Sequence, residues 1–192
     1  MDRAVVQRIA SEYDRRHGDA DAKVFSQEFR CPIMCRGYLC RCEFLKIVKW
    51  KAVRQTPNAA NNDPELVEIV TRRAFAEEDP RLAAWLLRYL KGVSTRMASA
   101  ILTVFDPSRY TVMDVRAWKT LEKIGLEKLR LPPAKGTLED HLDSCETYAA
   151  YLKTCRGLAQ ECGVSLRTLD KCLWMLNGNA PERCCRSNVQ PV

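Results

Sequence analysis

A chain of 192 residues, 46% of them hydrophobic, can bury one sizeable core, shared by at most two small lobes, without disulfide or metal staples. Its apolar runs are a few residues long and broken by Arg or Lys, which argues against a bilayer-spanning helix; the first eight residues lack a secretory leader's apolar stretch, so an intracellular location is expected. The net charge of +7 favours a polyanionic partner. The excess sits in two blocks, six cations against Glu43 from Arg36 to Arg54 and seven against Asp106 and Asp114 from Arg81 to Lys119. A solvated basic face explains either block alone; two blocks around one motif favour a binding surface.

In chain order, Asp2 is set to cap a helix carrying Val5, Val6, Ile9 and Tyr13 on one stripe, with Gly18 beyond its end. Cys31, Cys35, Cys40 and Cys42 give C-x3-C-x4-C-x-C, which is not the paired C-x2-C spacing of structural zinc sites. The other six of the ten cysteines are scattered, so free thiols are expected, with no metal and no cofactor. Residues 42–54 read as a second helix, with Phe44, Leu45, Val48 and Ala52 at helical spacing. Asp63-Pro64 and Asp79-Pro80 each pair a cap with a Pro in the first turn, ahead of Leu66 to Ala74 and Leu82 to Leu90.

Farther on, Thr95 is the expected cap of a helix to about Phe105, and Asp114 opens one that stops at Gly125. Residues 131–136, rich in Pro, are a loop. Thr137 with Asp140 resembles a capping box before a long helix through Tyr148, Tyr151 and Leu152. Ser165 caps the last helix, which ends at Asn177-Gly178, and the polar segment 179–192 is expected to be disordered. Strand signals are missing, so the expectation is an all-α chain of about eight helices.

The stretch from Leu86 to Leu102 joins two short apolar helices through a turn containing Gly92. Such a turn leaves backbone N–H groups at the second helix's start, where the helix dipole adds positive potential. That is an anion site suited to a DNA phosphate, although an ordinary helix pair in a core would read the same way.

Leu90-Lys91-Gly92-Val93-Ser94, followed by Val112-Met113-Asp114-Val115-Arg116 with Asp114 lying 20 residues after Ser94, resembles the signature of the helix-hairpin-helix DNA glycosylase superfamily, the endonuclease III-like enzymes. The resemblance implies a glycosylase-like domain over residues 1–178, with the hairpin at about 82–105 and two small lobes around a cleft. It also implies a monomer that works on double-stranded DNA, flips a damaged or modified base and hydrolyses its glycosidic bond. Asp114 falls at the superfamily's catalytic aspartate, where a fixed carboxylate stabilises positive charge on the sugar or activates water. The same residue is equally suited to be only an N-cap.

The resemblance carries further residues. Lys91, Gly92, Val93, Ser94 and Arg96 form the expected DNA-binding hairpin, and Arg116 stands where relatives place a phosphate-contacting His. Ser94 replaces a second hairpin glycine that takes positive φ in relatives. Arg96 stands at the position of the Schiff-base lysine of bifunctional members, and a guanidinium cannot attack as a neutral amine, so excision without strand cleavage is expected. An iron-sulfur cluster needs four Cys beyond the last helix, and only Cys172, Cys184 and Cys185 are near, so none is expected. Trp50, Lys51, Arg54 and Gln55 form the expected base pocket or duplex-insertion segment. Trp85, Tyr89 and Trp118 are further candidates to stack on a base, with burial in the core as their commoner fate. Two other readings stand beside the enzyme: a duplex-binding module without chemistry, and a Cys-rich interaction or redox protein.

Overall fold

The computed structural model describes residues 1–125 and 136–177. Among them every regular element is helical: α1 (Arg3–Phe25), α2 (Gln27–Arg36), α3 (Arg41–Lys51), a 3-10 turn (Val53–Gln55), α4 (Thr56–Ala59), α5 (Pro64–Ala76), α6 (Pro80–Leu87), α7 (Thr95–Phe105), α8 (Val115–Ile124), α9 (Leu138–His141), α10 (Cys145–Cys162) and α11 (Leu166–Leu176). Residues 131–135 of the expected loop at 131–136 and the expected disordered segment at 179–192, with Gly178, Cys184 and Cys185, lie outside the described residues. No described helix is long and apolar enough to cross a membrane.

Local capping chemistry sets most helix starts. The side chains of Asp2, Asp63, Asp79, Asp114 and Ser165 each accept from a backbone N–H two or three residues on. Several expected boundaries need correction. The first helix does not stop at Gly18 but runs to Phe25, because Asp21 and Val24 are buried and their packing outweighs one glycine's cost. The short helix α2 was not foreseen; Ser26 caps it and Gly37, at φ 72, ends it. The helix expected over 42–54 stops at Lys51, since Pro57 has no N–H to offer the Val53 carbonyl and the chain turns at Ala52.

Around the hairpin, Ser94 rather than Thr95 is the N-cap of α7, accepting from Met97 N–H. Ser94 sits at φ −87, so its Cβ carries none of the strain expected from replacing a glycine with positive φ. Thr137 caps only the single turn α9, and the long helix α10 begins after Ser144. That break lets Asp143 leave the helical path and reach α7.

One apolar cluster gathers nearly all the helices, including Phe44, Ile47, Leu87, Ile101, Leu102, Trp118, Tyr148 and Tyr151. Helix α7 is buried almost all round, from Thr95 to Val104, so it forms the centre on which the rest pack. Helix α11 packs against both α1 and α8, which brings the two ends of the described chain beside Asp114.

Candidate active site

Asp114 is fixed from both sides of the sequence. Ser99 Oγ on α7 accepts from Met113 N–H at 2.9 Å, and the buried Tyr151 hydroxyl donates to the Val112 carbonyl at 3.1 Å. These hold the extended backbone that enters α8, where Asp114 Oδ1 accepts from Arg116 N–H at 3.0 Å. The other oxygen, Oδ2, accepts from Lys51 Nζ at 2.7 Å. Burial raises the carboxyl's pKa, but the Lys51 ammonium and the Arg116 N–H outweigh it, holding Asp114 below the usual carboxylate range. It is therefore ionised at neutral pH.

This pair stands where two recesses meet. The first, about 530 Å³, is a polar cleft lined on one side by Lys51, Arg54 and Gln55 and on the other by Gly92, Val93, Ser94 and Arg96. Most residues expected in the site from sequence thus share one surface. At the hairpin, the side chain of Asn62 grips both the N–H and the C=O of Lys91, at 2.8 and 2.9 Å, and ties the turn to the start of α5. Gly92 has φ +80, and a Cβ there would lie 3.1 Å from Ala59 N and 3.2 Å from Gln55 O, so the backbone requires glycine.

Fewer backbone N–H groups are free at the hairpin than its sequence suggests. Thr95 N–H is taken by the Asp143 carboxylate at 2.8 Å, and that carboxylate also accepts from Arg88 at 3.1 Å. Met97 N–H is taken by Ser94. Among the described residues the amides of Gly92, Ser94 and Arg96 have no acceptor.

The second recess, about 220 Å³, is lined by Tyr13, His17, Trp50 and Trp174 with Lys51, Asp114 and Asp170. The rings meet edge on, Tyr13 and His17 lying 5.4 and 5.0 Å from Trp174. Asp21 organises this wall, accepting from the Tyr13 hydroxyl at 3.0 Å, from Trp50 Nε1 at 3.3 Å and from Arg167. Burial raises the pKa of Asp170, and its partner Arg167 offsets this only in part. The result is an aromatic slot with a polar floor.

Of the remaining candidates, Arg116 lines neither recess, and its guanidinium lies 4.2 Å from the centre of the ring of Trp174, which lines the aromatic one. Lys91 is exposed at the hairpin tip, and Arg54 is exposed on the 3-10 turn beside Val53, an apolar side chain 65% exposed. Trp118 is core, whereas Trp85 and Tyr89 are exposed rather than core and line neither recess.

Sequence reasoning missed Tyr13, His17, Trp174, Asn62, Asp143 and Val53. Tyr13 and Trp174 read as stripe residues of amphipathic helices, and only the packing of α1 on α11 reveals that their edges face a cavity. Val53 did carry a signal, a β-branched residue in a basic turn. Eight described cysteines are free thiols; Cys40 and Cys42 approach to 2.8 Å between their sulfurs, and no three metal-ligating side chains cluster among the described residues. Comparison with family models, curated proteins and solved structures finds no match for this chain.

Proposed function

We propose that this chain is a DNA glycosylase that flips a damaged or modified base out of duplex DNA and hydrolyses its N-glycosidic bond. The observation that carries this reading is the position of Asp114, an ionised carboxylate in the shared wall of a hairpin-lined cationic cleft and an aromatic slot. In the proposed complex, the Gly92, Ser94 and Arg96 amides with the Lys91 ammonium hold a backbone phosphate. The turn Val53–Gln55 fills the gap left in the duplex, and the flipped base stacks among Tyr13, Trp50 and Trp174. The sugar then lies over Asp114, which stabilises the positive charge that grows on C1′ as the bond to the base breaks. Arg96 contributes charge and no nucleophile. The protein acts as a monomer on intracellular DNA.

The test is an excision screen on duplexes that each carry one modified base, followed by hot alkali to break the strand at abasic sites. Alkali-dependent cleavage with one class of base is expected, and silence with all of them overturns the reading. A duplex-binding module without chemistry is the second reading. It is favoured by the capping hydrogen bond to Arg116 N–H, which alone would account for an Asp at this position. Salt-dependent binding without excision would select it.

A further inference from the structure

The start of α3 holds a pair of thiols that the proposed glycosylase does not use. Cys40, the N-cap of the helix, and Cys42, in its first turn, bring their sulfurs to 2.8 Å. Two Cα atoms separated by one helical residue lie about 5.5 Å apart, within the span that a disulfide bridges. Cys40 N–H donates to Glu43 Oε2 at 2.9 Å, that carboxylate pairs with Arg36, and Arg41 donates to the Ala60 carbonyl. The turn that carries both sulfurs is thus tied to α2 and to the end of α4.

The two thiols differ in surroundings. Cys42 is exposed, whereas Cys40 is half-buried, and burial together with the hydrogen bond to Cys42 pushes the Cys40 thiol up to about 11. Cys40 therefore keeps its proton at neutral pH, and Cys42 is the sulfur that a reagent in solvent reaches first. Cys42 also stands in the first turn of α3, where a helix favours negative charge. No third metal-ligating side chain joins the pair among the described residues. Cys31 and Cys35, exposed on α2, are accessible thiols of the same molecule against which the pair can be compared.

We infer that Cys40 and Cys42 form a redox modification site, at which Cys42 attacks a small disulfide of the glutathione class and Cys40 then closes an intramolecular disulfide. In the first step the Cys42 thiolate attacks one sulfur of glutathione disulfide: that S–S bond breaks, a mixed disulfide forms on Cys42, and one glutathione thiolate leaves. In the second, Cys40 gives up its proton to solvent and its sulfur attacks that of Cys42, so the Cys40–Cys42 bond forms and the second glutathione leaves. Two protein thiols are oxidised, one small disulfide is reduced to two thiols, and the two protons end on glutathione. The site stands whether or not Asp114 is catalytic.

The experiment exposes the reduced protein to rising ratios of oxidised to reduced glutathione, quenches with N-ethylmaleimide and maps the cysteines by mass. Chymotrypsin suits the map, because cuts after Leu39 and Phe44 leave Cys40 and Cys42 on one peptide. That peptide should lose two hydrogens, retain no glutathione and escape alkylation at ratios where Cys31 and Cys35 are still alkylated, and dithiothreitol should restore both thiols. Cys40→Ser should stop with glutathione retained on Cys42, and Cys42→Ser should leave Cys40 as a thiol. The assignment is overturned if the wild-type protein keeps both thiols, holds glutathione on Cys42 without closing, or reacts first at Cys31 or Cys35. A disulfide from Cys40 or Cys42 to any other cysteine overturns it as well.

Discussion

Lys51, in the last turn of α3, and Asp114, the N-cap of α8, are 63 residues apart in sequence and 2.7 Å apart in space. Each stands at the helix end whose dipole favours its charge, and each neutralises the other. The pair is thus stabilised three ways, and it presents an ionised carboxylate next to an amine at the junction of two recesses.

That arrangement sets a pH dependence. A carboxyl whose folded pKa is depressed contributes stability above its unfolded value, about 3.9, and this is lost as pH falls through the folded value. Asp114 is such a group. Urea midpoints of the wild type should fall between about pH 5 and about pH 2, and Asp114→Asn should show a smaller fall over the same window. Equal falls in both would mean that the Lys51 contact does not depress the Asp114 pKa.

The same substitution separates the cap from the chemistry. Asn caps helices as well as Asp, so stability at neutral pH should change little through capping. Excision should drop by about 10²–10³-fold, the loss of one preorganised electrostatic contact worth roughly 3–4 kcal/mol. Duplex affinity should survive or rise, because a negative charge near the phosphates has gone. Excision near the wild-type rate on a confirmed substrate would leave Asp114 as a cap only.

Asn62 and Gly92 are expected to hold the hairpin rather than touch DNA. Asn62→Ala strands both polar groups of Lys91 and should cost about 1–3 kcal/mol in chemical denaturation. Gly92→Ala combines positive φ with backbone contacts at 3.1 and 3.2 Å and should cost at least about 1–2 kcal/mol. Both should weaken duplex binding beyond what global unfolding explains. Unchanged affinity in a folded variant would remove the hairpin from the interface.

Trp174→Ala should open the aromatic slot without touching the hairpin or Asp114. Binding to a duplex with an abasic site should persist, while excision should fall on substrates whose base must be held. Stacking on one aromatic ring is worth roughly 1–3 kcal/mol per base. If abasic and base-containing duplexes respond alike, the slot does not receive the base.

Affinity for duplex DNA should fall steeply with salt, since Lys91, Arg96 and the hairpin amides displace counterions. Lys91→Glu and Arg96→Glu should flatten that slope and weaken all sequences alike. Arg116→Glu is the informative contrast: its guanidinium rests on Trp174, so it should disturb base handling more than phosphate binding. A salt-independent affinity would contradict the phosphate role of the cleft.

Much of the architecture was legible in the amino-acid order because capping is local. Asp2, Asp63, Asp79, Asp114 and Ser165 each bond N–H groups two or three residues away, so their roles need no knowledge of the rest of the chain. The all-helical class, the helix-turn-helix at the hairpin and the cap at position 114 follow from signals of that range. Where α1 and α3 end depended on packing and on Pro57, beyond the reach of one glycine or one apolar stripe. The site itself was decided by tertiary structure. The pairs Lys51–Asp114, Asn62–Lys91 and Asp143–Thr95 span 63, 29 and 48 residues. The aromatic slot needs Tyr13 from α1 beside Trp174 from α11. An amphipathic stripe tells that a side chain turns inward, but not which partner it meets there, and in this protein that partner decides whether the residue fills the core or lines the slot.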